Sequence, residues 1–179
     1  TALEAQGFVH YLPMRDEQVI HLYGENHPTW LKRLEGAERF RLHSDKLFDL
    51  RAHEEITKVD SPVGSLSSST PERAILELLD ELPRHESVHI VDKAFEGLAS
   101  ARPRHLEKLL ASCTSIKVKR LFFVFADKHG HAWRQHVSPE RFDLGAGPRA
   151  LFAKGQFHPR YKISVPSELM PEKEAGDGA

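Results

Sequence analysis

Cysteine is almost absent from this 179-residue chain: Cys113 stands alone, so an internal disulfide is excluded. That usage fits a reducing cytoplasm, where we expect the protein to reside. No apolar run reaches the roughly 18–20 residues that a bilayer span requires. No signal-peptide pattern is present. The chain opens on Thr1-Ala2-Leu3 with no initiator Met, so we expect it to be part of something longer. Catalytic signatures are missing too. There is no nucleophile elbow, no phosphate loop and no defensible Ser-His-Asp order. Gly145-x-Gly147 is too short for a nucleotide fingerprint. We therefore expect a non-enzymatic protein with no cofactor and no catalytic residue.

What is present begins with Ser115 to Phe125. Val118, Leu121, Phe122 and Phe125 fall at i, i+3, i+4 and i+7, one stripe of a helix. Lys117, Lys119 and Arg120 flank the stripe, with no acid within four residues on either side. Such cations need solvent, a helix partner or a polyanion. The net charge of −1 hides a matching asymmetry. Residues 1–99 hold 11 Lys and Arg against 18 Asp and Glu; residues 100–165 hold 13 against 4; the rest hold 1 against 4. This segregation builds an anion-binding face, is neutralised by the acidic half across an internal interface, or spreads over a solvated face.

The first sixty or so residues read as strand-rich: Phe8 to Leu12, Val19 to Tyr23, Arg39 to Leu42 and Ile56 to Val59. Pro28 to Leu34 reads as a short helix with Pro in its first turn. Gly64 to Thr70 reads as a polar connection ending in a cap, Thr70, with Pro71 at the first helical position. Four amphipathic helices follow. They bury Ala74, Ile75, Leu78, Leu79 and Leu82; then Val91, Ala94, Phe95 and Leu98; then Leu106, Leu109 and Leu110; then the Ser115 segment, which Gly130 stops. Cys113 lies on the leucine side of the third helix, as a buried structural thiol. Short links between the helices imply a bundle. After it, Arg149 to Lys154 and Tyr161 to Val165 read as strands joined through Gly155 to Pro159. The expected fold is α+β: a strand-rich subdomain over 1–64, a helical bundle with a small C-terminal β-element over 65–166, and a disordered tail over 167–179.

Two groups could carry chemistry. Among the 12 histidines, His129-Gly130-His131 with His136 is the tightest set, but it lacks a partner motif, and no metal site is expected there. The carboxylate pairs Glu54-Glu55, Asp80-Glu81 and Asp92/Glu96 read as solvated faces. The cationic set is the better lead: Lys117, Lys119, Arg120 and Lys128 on the fourth helix, then Arg149, Lys154, Arg160 and Lys162. On a strand, Arg160 and Lys162 share one side and leave Tyr161 and Ile163 to the core. This spread suits backbone phosphates and offers no helix-borne base readout. It could equally present a basic surface to a protein partner.

Several stretches resemble one family. They are Thr1 to Leu12, Ser69 to Leu79, Phe95-Glu96-Gly97-Leu98 with Arg102-Pro103, Ser115 to Phe125 with His129-Gly130-His131-Ala132-Trp133, Asp143-Leu144-Gly145-x-Gly147, and Tyr161 to Pro166. In this order they are similar to the AbiEi-type antitoxins of bacterial type IV toxin–antitoxin (abortive infection) systems. The resemblance implies a repressor-antitoxin whose winged helix-turn-helix binds promoter DNA from a position before Thr1. It also implies a nucleotidyltransferase-like toxin as functional partner, countered with or without direct contact. Two positions depart from the family pattern: Pro148 stands where a Lys is expected, and Gln156 where a second Gly is. The rival reading is a metal-dependent nuclease or phosphohydrolase using His129 and His131.

Overall fold

The computed structural model describes residues 2–5, 19–49, 55–61 and 64–171. The expected strand at Phe8 to Leu12 and the last eight residues of the expected tail lie outside them. Thr70 opens the helical body: its Oγ1 accepts from the Arg73 amide at 3.5 Å, and Pro71 begins α1 (Pro71–Glu81). Ser87 caps α2 (Val88–Gly97) and Ser115 caps α4 (Ile116–His129), each accepting from the amide three residues on. Between them lies α3 (Pro103–Ser112), started by Pro103. Gly130 ends α4 at φ 57°, a left-handed conformation that glycine adopts without strain.

The α4 helix is the centre of the molecule. Nine consecutive residues, Val118 to Ala126, are buried, so this stretch of the helix has no solvent face. Its aromatic side packs against Phe95 of α2, which stacks on Phe125 at 5.1 Å. Phe123, on another side, meets Phe142 and Tyr161, each at 5.9 Å. Each phenylalanine fully removed from water stabilises the fold by roughly 1.5–3 kcal/mol. Trp133 closes the bundle end, donating from Nε1 to the Leu98 carbonyl at 2.7 Å. The expected core residues of all four helices are buried. Cys113 is buried as well, and burial raises its thiol pKa.

The described residues also form three two-stranded sheets. β1 (Ile20–Tyr23) and β2 (Phe40–His43) run parallel, with Ile20 opposite Phe40 and Tyr23 opposite His43. The link between them contains a 3-10 turn at Thr29–Arg33, not an α-helix, and Pro28 precedes that turn. β3 (Ile56–Ser61) pairs antiparallel with β4 (Gly64–Ser69). The serine run expected as a connection is thus a strand. Backbone ladder bonds with Ile56–Ser61 order it, and its largely solvated serines give no alternation to read.

β5 (Gln156–His158) and β6 (Ile163–Val165) form the third pair. Here the expectation is corrected. The partner of β6 is the segment taken as a joint, while the Arg149 to Lys154 run touches β6 through the Arg149–Ile163 bridge and the Ser164 hydroxyl, which accepts from the Leu151 and Phe152 amides. Lys162 sits at φ 50°, which breaks the alternation expected for Arg160 and Lys162. Tyr161 and Ile163 are buried as anticipated. Past β6, Ser167–Leu169 forms a 3-10 turn that buries Leu169, although those residues were expected in the disordered tail.

His158 ties pH to this element. It is buried against Tyr161, whose amide its Nδ1 accepts at 3.4 Å, and burial lowers its pKa below 6.5. A depressed histidine pKa means that the unfolded chain takes the proton more readily. The stability held by the neutral ring is therefore complete above pH 6.5 and lost as the pH falls below it. His158→Gln should shrink the drop in urea midpoint between pH 7.5 and pH 5.5; an undiminished drop would place the pH sensitivity elsewhere.

Candidate functional site

The eight expected surface cations divide into three groups. Lys119 and Arg120 are buried, at 6% and 2% exposure. Lys119 has no hydrogen bond or ion pair on its ammonium among the described residues. Arg120 spends four of its five N–H donors on backbone carbonyls. Nε donates to Leu144 at 2.6 Å, Nη1 to Gly147 and Lys162 at 2.7 Å each, and Nη2 to Gly145 at 3.0 Å. Burial is the main cause that lowers its pKa, followed by the nearby Arg149. The Gly145-x-Gly147 turn is therefore a cage for a guanidinium, built by carbonyl oxygens, and not a phosphate cradle. A Cβ at Gly145 would lie 3.2 Å from Ile116 Cγ2 with φ at 69°, so the close approach needs glycine.

Three more cations are held by acids. Lys117 lies 3.0 Å from Asp80 and also donates to the Leu82 carbonyl at 3.0 Å, near the C-terminal end of α1, where the helix dipole favours a cation. Lys128 pairs with Asp92 at 2.8 Å. Arg160 pairs with Asp127 at 3.0 Å. Asp127 also takes Arg134 Nε at 2.7 Å and the Tyr161 hydroxyl. One carboxylate in the last turns of α4 thus fastens the C-terminal β-element to the bundle.

Arg149, Lys154 and Lys162 remain. All three are exposed and lack an ion pair among the described residues; Lys162 reaches the Ala146 carbonyl at 3.5 Å. The expectation that all eight are free surface cations is thereby corrected: two are buried, three are held by acids, and the three exposed ones without an ion pair belong to the C-terminal element. The reason is physical: a cation beside an apolar stripe can be drawn inward when carbonyls wait for it, and sequence spacing does not record that.

The histidines of the rival reading also have structural partners. His129 Nε2 contacts Asp92 at 2.8 Å, and His131 Nε2 contacts the Phe95 carbonyl at 2.7 Å. Burial pushes the Asp92 carboxyl up, but Lys128 and His129 more than reverse it. Glu96, expected to share a face with Asp92, pairs with Lys93 at 2.7 Å.

The sequence reading misses a cleft of about 580 Å³ where β2 meets the end of α1, lined among others by His43, Asp80, Glu81, His85 and Lys117. Spacing offers no signal for it, because its residues come from segments separated by tens of residues. Residues 17–166 match the family model described as transcriptional regulator, AbiEi antitoxin, type IV TA system. No curated protein and no solved structure matches the chain.

Proposed function

Because the chain belongs to the AbiEi antitoxin family of type IV toxin–antitoxin systems, we propose that this region is the antitoxin body of a transcriptional regulator. It neutralises a nucleotidyltransferase-like toxin, and promoter recognition falls to a winged helix-turn-helix module of the kind the resemblance implies. The region acts by binding, in the cytoplasm, without catalysis. The observation that carries the reading is the family match, which runs from the segment before β1 through the bundle to the end of the C-terminal element. Arg149, Lys154 and Lys162 supply its polyanion-facing cations, as sequence-indifferent phosphate contacts or as an acidic protein's landing point.

The test is co-expression with a nucleotidyltransferase-like toxin of a type IV toxin–antitoxin system. Growth should be restored by the folded chain, and persistent toxicity with soluble, folded protein present would overturn the reading. A gel shift across a salt series then separates the roles of the exposed cations. Three phosphate contacts predict a slope of log K against log salt no steeper than about −2.7. Loss of the shift in the R149A/K154A/K162A variant with rescue intact would assign those side chains to nucleic acid rather than to neutralisation.

A further inference from the structure

His21 and His43 lie two register steps apart on the parallel β1–β2 pair, since His21 is opposite Arg41. Their parity places both rings on one face of the ribbon, the face that meets the end of α1. There the His43 ring lies nearly parallel to those of His21, with centroids 5.0 Å apart, and Tyr23, at 4.7 Å. His43 Nδ1 lies 3.0 Å from Glu81 Oε1, and its Nε2 lies 2.9 Å from His21 Nδ1. With Glu81 ionised, His43 carries its proton on Nδ1, so a lone pair on Nε2 faces His21. Two imidazole nitrogens then converge on one point, and only a shared proton separates them.

That arrangement is also how proteins build a transition-metal site. Two imidazole nitrogens each about 2.05 Å from a tetrahedral ion sit about 3.3 Å apart, so roughly 0.4 Å of opening would admit one. A carboxylate on the far nitrogen of a ligating histidine is the usual device for fixing its tautomer and raising its basicity. Ligand atoms of His21, His43 and Glu81 all fall within 4.8 Å of one another. The neighbouring cations do not oppose an ion there: Lys117 is held by Asp80, and Arg41 Nη1 donates to the Glu38 carbonyl. The adjoining cleft, with Asp80 and the exposed His85 on its wall, leaves room for a further ligand or a water.

We propose that His21 and His43, the latter oriented by Glu81 on its Nδ1, form a site for a divalent transition metal, Zn²⁺ by the chemistry of its donors, that locks the β1–β2 ribbon and, through Glu81, holds it to the end of α1. Two neutral imidazoles suit zinc and disfavour calcium and magnesium, which demand oxygen. The ion would act as a clasp across the two strands, and the remaining coordination positions face the cleft, where Asp80, His85 or water can complete them.

The test uses the whole chain, stripped with a chelator and titrated with Zn²⁺ against a chromophoric competitor. One equivalent should bind saturably, and His43→Gln should weaken it at least 100-fold while H129Q/H131Q leaves it unchanged. Co²⁺ added to the unaltered protein should give the visible bands of a four- or five-coordinate site, and histidine ring NMR signals of His21 and His43 should shift first. These two readings do not depend on the variant's folding. No saturable binding, binding that survives His43→Gln, or shifts confined to His129 and His131 would overturn the proposal.

Discussion

Replacing Arg120 with Met is expected to lower folding stability by about 3 kcal/mol, with a fall in melting temperature of roughly 6–12 °C. The change removes four hydrogen bonds from a charged donor to backbone carbonyls. A bond to a charged group contributes about 1.5–3 kcal/mol, but the guanidinium also sheds its own cost of burial, which limits the net loss. Lys at this position keeps the charge yet cannot span carbonyls from Leu144 to Lys162, so Arg120→Lys should lose about 2 kcal/mol. Urea melts with an unchanged slope and a lower midpoint are the expected result. A midpoint equal to that of the parent would show that the carbonyl cage contributes nothing.

Arg73→Met should cost more, about 3–5 kcal/mol at pH 7. Arg73 is 3% exposed and lies over the Phe48 ring at 5.1 Å. It pairs with Glu77 at 2.7 Å and Asp45 at 2.6 Å, and Glu77 also accepts from the Ser69 hydroxyl at 2.8 Å. Without the guanidinium, Glu77 keeps a buried carboxylate that burial already pushes toward the neutral form. A carboxyl pKa raised in the folded state means that the fold binds the proton more tightly than the unfolded chain does. The penalty is full above that raised value and relieved as the pH falls through it. R73M should therefore recover stability between pH 7 and pH 5, opposite to the His158 contribution. The R73M/E77L double variant should regain most of the loss. A double variant as unstable as R73M would mean that the guanidinium supports Asp45 and Phe48 rather than Glu77.

These two arginines also mark how far the sequence could be read. The helices were legible because caps, prolines and leucine spacing are local signals: Thr70, Ser87, Pro103, Ser115 and Gly130 all act where they stand. The apolar stripe of α4 was legible as a stripe, but not as a helix walled on every side, because its walls come from Phe95, Phe142 and Tyr161 far along the chain. The charge asymmetry was real, yet the acids that consume it were invisible. Asp80, Asp92 and Asp127 look like ordinary surface carboxylates until the fold brings Lys117, Lys128 and Arg160 to them. The β4 serines hid their strand by offering no hydrophobic face. Family-like stretches fared differently: Glu72 and Arg102, from two separate ones, meet in a bidentate pair at 2.9 Å. Their spacing of thirty residues carried no physical signal, only a pattern.

The encirclement of α4 has a consequence for how the chain is made. Residues near Tyr161 and Leu169 are synthesised some forty residues after the helix they cover. Until they leave the ribosome, the Phe123 side of α4 stays bare, and the Arg120 side chain faces water without its carbonyls. A nascent or cleaved product that stops short of this region would carry an uncovered aromatic ridge, the feature that chaperones and proteases recognise.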